Sequence, residues 1–315
     1  LLVLSLAAFI ISCSSNQEEG FIVKESTNNG LTCQNSDTVD DFLEVKAIYG
    51  SDNRLDWFES PGQTKDYWAK ATLALIASNN LELKDSEYVI TAPSYKSVVN
   101  LCDDQPFESQ PSAAFCSGFL VSENIVVTAG HCIRDQDDCE RARFVFDFAK
   151  TNSTQDEFKV PESSVYQCGE VIESQSGARD FAVIRLDRPV LDRTPLNVRR
   201  QGSVNTGDQV MLVGHPMGLP SKIADGGFVQ SVGSKIVASV DAFAGNSGSV
   251  ILNSVSGLVE GILVAGEVDF IYQDGCRVEA RCGSNCDGEV ITPISDVLAS
   301  IPNVSYENPI CSADQ

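Results

Sequence analysis

Three side chains in this sequence could together activate a hydroxyl group as a nucleophile: His131, Asp180 and Ser247. A serine hydroxyl is a weak nucleophile at neutral pH and needs an adjacent base to accept its proton. An imidazole can be that base when a carboxylate fixes its tautomer and stabilises the imidazolium that forms. The sequence therefore predicts His131 as the general base, Asp180 as the residue that orients it, and Ser247 as the nucleophile.

The backbone around Ser247 indicates how an oxyanion could be stabilised, and the order of the histidines and the serine along the chain excludes one fold. Gly245 lets the chain turn so that the N–H groups of Gly245 and Ser247 can point at one spot and stabilise an oxyanion. An α/β-hydrolase would carry its histidine after the serine and centre the serine in G-x-S-x-G. Here His131 and His215, the only two histidines, precede Ser247, and Ser249 stands in place of the second glycine. We therefore exclude the α/β-hydrolase fold.

Short runs of β-branched residues flank each of the three positions and predict the strands that hold them. These strands are residues 115–121 and 125–129 before His131, 181–186 after Asp180, and 236–240 and 249–252 around Ser247. Residues 68–76 fit either a helix or a strand by pattern alone. Residues 77–112 contain three prolines and predict an insertion, while residues 294–301 predict a C-terminal helix.

The flanking motifs resemble those of trypsin-like (chymotrypsin-fold) serine proteases. They are Thr128-Ala129-Gly130-His131-Cys132, Asp180-Phe181-Ala182-Val183-Ile184-Arg185-Leu186 and Gly245-Asn246-Ser247-Gly248, in that order. Residues 45–54 look like the N-terminal segment of the bacterial glutamyl-endopeptidase-like branch. The resemblance covers roughly residues 45 to 300, within the usual boundary error of a few residues.

The resemblance implies an all-β protease domain over residues 45–300. We expect two six-stranded antiparallel β-barrels of the chymotrypsin type, a cleft between them and a C-terminal helix. It favours a strand for residues 68–76 and implies a disulfide between Cys116 and Cys132 beside the histidine. It also implies a serine endopeptidase that acts on protein or peptide substrates, without a metal or organic cofactor.

The resemblance leaves two interpretations of substrate preference open. Asp241 lies six residues before Ser247, where trypsins carry the carboxylate at the base of the specificity pocket, so it predicts cleavage after Arg or Lys. Alternatively, Asp241 braces the loop. The cleft strand 261–266 is expected to contact substrate through Leu263 and Gly266. Glutamyl endopeptidases carry a histidine where Leu263 stands, which weakens the alternative prediction of Glu-directed cleavage.

The residue before the nucleophile bears on activation. Animal trypsins have an aspartate there, which pairs with the N-terminus that zymogen cleavage frees. This chain has Asn246, as do glutamyl endopeptidases and high-temperature-requirement proteases. We therefore expect that activation does not follow the trypsin route.

Composition limits the partners and the compartment. The net charge of −22 argues against nucleic acid or anionic lipid surfaces as charge-driven partners. Eleven cysteines without repeated C-x-x-C pairs indicate an oxidising compartment rather than zinc binding. We expect a monomer.

The alternative from a different class of protein is a non-catalytic surface-binding lipoprotein on the same fold. Such a protein would have lost catalytic residues, and His131, Asp180 and Ser247 are all present.

The N-terminus predicts export. Residues 1–12 read as a signal peptide with a truncated start, because the apolar run is too short to span a bilayer. Ile10-Ile11-Ser12-Cys13 resembles a bacterial lipobox, which implies lipidation of Cys13. Residues 13–44 then form a flexible tether and residues 301–315 a tail. The expected location is outside the bacterial cytoplasm, lipid-anchored at the outer membrane and facing the periplasm or the cell surface.

Overall fold

The computed structural model describes residues 48–302 except 63, 267, 284 and 285. All of these belong to the compact unit Leu43–Gln315. The signal peptide at 1–12, the lipidation site Cys13, the tether at 13–44 and the tail beyond residue 302 lie outside the described residues. Within them no helix is long and apolar enough to cross a membrane.

Short strands dominate the described residues, which confirms the all-β prediction. The strands are β1 (Ile48–Tyr49), β2 (Arg54–Asp56), β3 (Thr72–Ala77), β4 (Leu81–Lys84), β5 (Glu87–Ile90), β6 (Ala114–Ser122), β7 (Ile125–Thr128), β8 (Ala142–Val145), β9 (Lys159–Pro161), β10 (Val165–Tyr166), β11 (Cys168–Gln175), β12 (Phe181–Leu186), β13 (Gln209–Gly214), β14 (Lys222–Val232), β15 (Ile236–Ser239), β16 (Val250–Asn253), β17 (Val259–Ala265), β18 (Phe270–Gln273), β19 (Cys276–Glu279), β20 (Arg281–Cys282) and β21 (Glu289–Pro293).

Helical structure in the same range is brief. The two α-helices are α1 (Tyr95–Val99) and α2 (Gln136–Arg141). One π-helical stretch covers Thr64–Trp68, and single 3-10 turns occur at Trp57–Glu59, Ala69–Ala71, Ser78–Asn80, Glu162–Ser164, Pro216–Gly218 and Ile294–Asp296.

The C-terminal half of the domain forms a closed barrel. Its antiparallel order is β13-β16-β17-β21-β15-β14, and β14 pairs back onto β13. This closure gives the expected six strands, with β2 added on the outside of β14. Apolar residues that include Leu212, Ile251, Leu263 and Ile291 fill the interior. Closure leaves the barrel without a free edge.

The N-terminal half is a curled sheet rather than a second closed barrel. Its order is β10-β8-β3-β6-β7-β12-β11, so it has seven strands instead of the expected six. No hydrogen-bonded pairing between β10 and β11 occurs among the described strands. The physical reason is that β10 contributes only Val165 and Tyr166, both paired with β8. The chain then turns directly into β11, so the two edges are joined covalently.

One apolar cluster contains residues of both sheets, and it is separate from the cluster inside the closed barrel. Alternate residues of a strand face opposite sides, and in β13 Val210 and Leu212 point into the closed barrel while Met211 and Val213 join the core of the curled sheet. The candidate site residues lie on loops where these two sheets meet. Loops that a rigid scaffold positions are where catalytic residues concentrate.

Two expectations about peripheral segments have definite outcomes. Residues 294–301 form only the 3-10 turn Ile294–Asp296 instead of a C-terminal helix. The segment is short and bounded by Pro293 and Pro302, and a residue before proline disfavours the α conformation. Residues 68–76 become β3 after a 3-10 turn, and the region 77–112 contains β4, β5 and α1 outside the two main sheets.

Candidate active site

Adjacent strands bring His131 and Asp180 together. Strands β7 and β12 pair antiparallel; His131 follows the end of β7, and Asp180 directly precedes β12. Gly130 allows the close approach, since a Cβ there would clash first with the backbone carbonyl of Gln175 at the end of β11 and also with that of Phe181 at the start of β12. The sequence motifs around both residues therefore have a direct structural role.

The Asp180 carboxylate holds the His131 ring. Its Oδ2 lies 2.7 Å from Nδ1, and its Oδ1 accepts the backbone N–H of His131 at 3.0 Å. Burial alone would raise the pKa of Asp180, but the hydrogen bonds from His131 outweigh it and the pKa lies below its usual value. The carboxylate is therefore ionised at neutral pH. With the proton on Nδ1, the Nε2 atom is the ring's acceptor.

Ser247 is tied to the same region of the molecule. It lies half-buried between β15 and β16, and its carbonyl accepts the N–H of Ser117 on β6 at 2.8 Å. Cys116, the neighbour of Ser117, forms a disulfide with Cys132, which follows His131, and their Cα atoms are 6.2 Å apart. The Sγ atom of Cys132 is 3.7 Å from the Ser247 carbonyl oxygen. The disulfide that the resemblance implied is thus present, and it links the histidine loop to β6, the strand that hydrogen-bonds to the serine loop.

The backbone of the serine loop leaves two donors available. Gly245 has φ of +87°, in the left-handed region that favours glycine. The N–H of Asn246 donates to the carbonyl of Phe243 at 3.0 Å. Within the described part of the chain, the N–H groups of Gly245 and Ser247, on either side of Asn246, donate to no protein acceptor.

A cavity of about 180 Å³ adjoins Ser247. Its walls are the serine loop, the end of β17 with the residues after it, and the start of β21. The lining residues are Phe243, Ala244, Ser247, Leu263, Ala265, Gly266, Asp269 and Glu289. Leu263 and Gly266, which the sequence predicted as substrate contacts, are both in this wall.

Asp241 does not line this cavity. Its Oδ1 accepts the N–H of Tyr49 and its Oδ2 accepts the N–H of Asn53, each at 2.7 Å. Burial raises the pKa of the Asp241 carboxyl, although the two backbone hydrogen bonds oppose that effect. The contacts match the bracing interpretation. They correct the expectation of a pocket-base charge, because the N-terminal segment supplies donors to both carboxylate oxygens.

The second histidine has a structural place. His215 is 2 % exposed, its Nδ1 lies 2.9 Å from the carbonyl oxygen of Leu219, and its ring stacks on Phe148. Burial lowers the pKa of His215 to about 4. A neutral buried ring with these partners holds the turn after β13.

One group of possible metal ligands occurs among the described residues. Ligand atoms of Cys116, His131 and Cys132 lie within 4.8 Å of one another. A thiolate is the form of cysteine that binds metal, and here the disulfide joins the two sulfur atoms. The oxidised cluster therefore has only the imidazole as a ligand.

Sequence reasoning missed two charged residues of the cavity, Asp269 and Glu289. Both lie beyond the cleft strand, in a stretch without a recognisable motif, and acidic residues are common in this chain. One signal existed for Glu289, which opens the β-branched run Val290-Ile291-Thr292. A carboxylate at the start of a buried strand requires a polar environment.

Two comparisons with known proteins found similarities. A family model described as "Trypsin-like peptidase domain" matches residues 116–262, which include His131, Asp180 and Ser247. A solved chain titled "Structure of Glu endopeptidase in complex with MPD" is similar at 18% sequence identity over 75% of this chain and 94% of that chain, with a TM-score of 0.44. The family match supports a peptidase domain over residues 116–262.

Proposed function

We propose that this chain is a serine endopeptidase with His131, Asp180 and Ser247 as its catalytic triad. The observation that carries the proposal is the His131–Asp180 pair, with an Nδ1–Oδ2 distance of 2.7 Å, linked by a disulfide to the strand that anchors Ser247. The trypsin-like family match spans all three residues. Each has the side-chain chemistry that its role requires.

The proposed reaction proceeds through an acyl-enzyme. The Ser247 hydroxyl attacks the scissile carbonyl while Nε2 of His131 accepts its proton, and Asp180 stabilises the imidazolium. The N–H groups of Gly245 and Ser247 stabilise the tetrahedral oxyanion. His131 then donates its proton to the leaving amine, and a water molecule that it activates hydrolyses the acyl-enzyme.

A preference for Arg or Lys before the scissile bond is part of the proposal. The cavity beside Ser247 is lined by two carboxylates, and its described lining has no Lys, Arg or His. Such a wall favours a cationic side chain and opposes an acidic one. This charge pattern makes Glu-directed cleavage the less favoured alternative.

The first test is Ser247→Ala in the full chain. Because the triad acts as a unit, peptide hydrolysis should fall by roughly three orders of magnitude or more, and labelling by a fluorophosphonate probe should disappear. Ser231→Ala, at an exposed serine on β14, is the matched control and should keep both. Undiminished hydrolysis by a clean Ser247→Ala preparation would refute the assignment and leave the non-catalytic scaffold as the better reading.

We further propose that Cys13 carries a lipid that anchors the protein outside the bacterial cytoplasm. The lipobox-like run Ile10-Ile11-Ser12-Cys13 supports it, and several acyl chains on one residue give stable membrane binding. Mass spectrometry of the mature N-terminus from the native host should find a chain that starts at a lipidated Cys13. An unmodified Cys13, or a mature chain that begins elsewhere, contradicts the anchor.

A further inference from the structure

The two N–H groups assigned to the oxyanion hole depend on the orientation of two peptide groups in the serine loop. The N–H of Gly245 belongs to the peptide that carries the Ala244 carbonyl, and the N–H of Ser247 belongs to the peptide that carries the Asn246 carbonyl. In a planar trans peptide the C=O and the N–H point in opposite directions. The partners of these two carbonyls therefore set the directions in which the two N–H groups point.

The peptide before Ser247 is held from within the serine loop. The Asn246 carbonyl accepts the N–H of Ser249 at 2.7 Å, and the Asn246 side chain accepts the Ser249 hydroxyl at 3.1 Å. The carbonyl of Ser247 itself accepts the N–H of Ser117, on β6, at 2.8 Å. This half of the oxyanion hole is thus fixed by the loop and one neighbouring strand.

The peptide before Gly245 is held by a different element, the turn His215–Leu219 that follows β13. Its carbonyl, that of Ala244, accepts the N–H of Met217 at 2.5 Å. Met217 has φ of +51°, a conformation that residues other than glycine adopt rarely. Gly245 packs directly on this turn, since a Cβ there would clash with backbone atoms of the turn. The turn therefore determines where the Gly245 N–H points.

One buried side chain joins this turn to the serine loop. The Ser117 hydroxyl accepts the N–H of His215 at 2.9 Å and donates its proton to the carbonyl of Gly245 at 2.9 Å. Ser117 is fully buried, where a polar group that loses its partner is costly. Because the hydroxyl bonds to both segments at once, it fixes the spacing between the turn and the loop.

The turn is itself secured on two sides. The Ser112 hydroxyl donates to the carbonyl of Met217 at 2.6 Å. The buried ring of His215 stacks on Phe148, and its Nδ1 lies 2.9 Å from the carbonyl oxygen of Leu219. A rare backbone conformation such as that of Met217 persists only where the surroundings over-determine it, and such residues cluster at functional sites.

We propose that Ser117 and the turn His215–Leu219 form a positioning element that holds the oxyanion hole in its active arrangement before substrate binds. This inference rests on the proposed serine endopeptidase function. Ser117 is a positioning residue, because it acts on the reaction through the backbone of Gly245 and Ser247. Donors that are already aligned stabilise a developing oxyanion without reorganisation during the reaction.

The test compares Ser117→Ala with the wild type, using the purified full chain and one peptide amide substrate. Both N–H donors remain in the variant, but the support that aligns them is lost. The value of kcat should therefore fall by about 10-fold or more, toward the 10²- to 10³-fold that removal of a whole oxyanion-hole donor costs. KM should change little, because the oxyanion develops only in the transition state.

A peptidyl trifluoromethyl ketone gives a second readout that depends on the oxyanion hole. The Ser247 oxygen adds to the ketone carbon, its proton passes to His131, and the carbonyl oxygen becomes an oxyanion. The affinity of Ser117→Ala for this inhibitor should fall by about the same factor as kcat, since both report stabilisation of a tetrahedral oxyanion. A change of the fold's stability alone would leave this affinity unchanged.

Ser122→Ala is the matched control, because Ser122 is a buried serine at the other end of β6. It should keep the wild-type kcat and inhibitor affinity. A folded Ser117→Ala variant that retains both values, or that changes only KM, overturns the proposal. An equal loss in Ser122→Ala also overturns it, because the effect would then belong to the strand as a whole.

Two further measurements separate folding and the proposed function from this inference. A wild type that neither hydrolyses peptides nor reacts with a fluorophosphonate refutes the proposed function and the inference with it, whereas an active wild type matched by Ser117→Ala refutes the inference alone. If thermal unfolding shows that Ser117→Ala does not fold, Ser112→Ala, at a half-buried position, loosens the turn instead. It should lower kcat and inhibitor affinity together at unchanged KM, and wild-type values overturn the proposal.

Discussion

At the scale of single residues, the site depends on the Asp180 carboxylate, which bonds to both the ring and the backbone N–H of His131. Asp180 accepts both Nδ1–H and the backbone N–H of His131, so it fixes the position of the ring as well as its tautomer. An amide at the same position could accept only one of these hydrogen bonds through its oxygen. Its NH₂ group would favour the tautomer with the proton on Nε2, which cannot accept the serine proton.

Asp180→Asn should therefore lower kcat by roughly 10⁴-fold while the protein stays folded. The sign of the pH dependence follows from the lowered pKa of Asp180. A carboxyl whose pKa is lowered in the folded state contributes its stabilisation above the ordinary value of 3.8 and loses it as the pH falls further. The extra unfolding free energy that Asp180 gives the wild type over the variant, measured by chemical denaturation, should consequently be the same at pH 6 and pH 8 and should shrink below about pH 4. A stability difference that grows as the solution is acidified contradicts this role for Asp180.

The residues that could be predicted from the sequence are those with a distinctive neighbourhood. His131, Asp180 and Ser247 each have small or β-branched neighbours with a structural role, such as Gly130, which leaves room for the backbone carbonyls of Gln175 and Phe181. Asp269 and Glu289 have no such neighbours. Glu289 reaches the cavity wall only when β17 and β21 pair and place Gly266 against its carboxylate, and pairing between distant strands cannot be predicted from local pattern.

At the scale of elements, the local sequence pattern predicted individual strands better than it predicted whether their sheets close into barrels. The hairpin of β6 and β7 and the strand β12 follow the predicted runs within a few residues, because their apolar stretches are buried on both sides. The curled N-terminal sheet was not foreseen, since a two-residue strand such as β10 leaves almost no periodic signal. The prediction of a C-terminal helix over residues 294–301 was wrong for a local reason, because Pro293 and Pro302 bound this short segment.

The segment with β1 and β2 is the element that most changes the interpretation of the serine loop. It supplies the N–H groups of Tyr49 and Asn53 to Asp241, and Arg54 stacks over the ring of Phe243 at 4.4 Å. Ile48 packs against the same ring. The segment therefore supports the back of the loop through internal backbone groups. Asp241, which the resemblance to trypsins placed at the base of the specificity pocket, braces the serine loop instead.

At the scale of the whole molecule, the support that the β1–β2 segment gives the serine loop affects how the protein would be activated. In the trypsin route a newly freed ammonium group enters the protein and pairs with an aspartate beside the nucleophile. Here that position is Asn246, a buried amide whose Oδ1 accepts the Ser249 hydroxyl at 3.1 Å. The other candidate, Asp241, already accepts two backbone N–H groups. A charged terminus buried near the loop without a carboxylate partner would be costly.

We therefore expect the active site to form without cleavage before Val45. The full chain and a chain trimmed to begin at Val45 should label with a fluorophosphonate at the same rate and hydrolyse Arg peptides with the same kcat/KM. Capping the new terminus of the trimmed chain by acetylation should also leave the rate unchanged, because no ammonium group is needed. If the uncut chain is inert and trimming near Val45 activates it, with activity lost on acetylation, a carboxylate other than Asp241 must receive the terminus. In that case the support of the loop by Tyr49 and Asn53 would form only after cleavage.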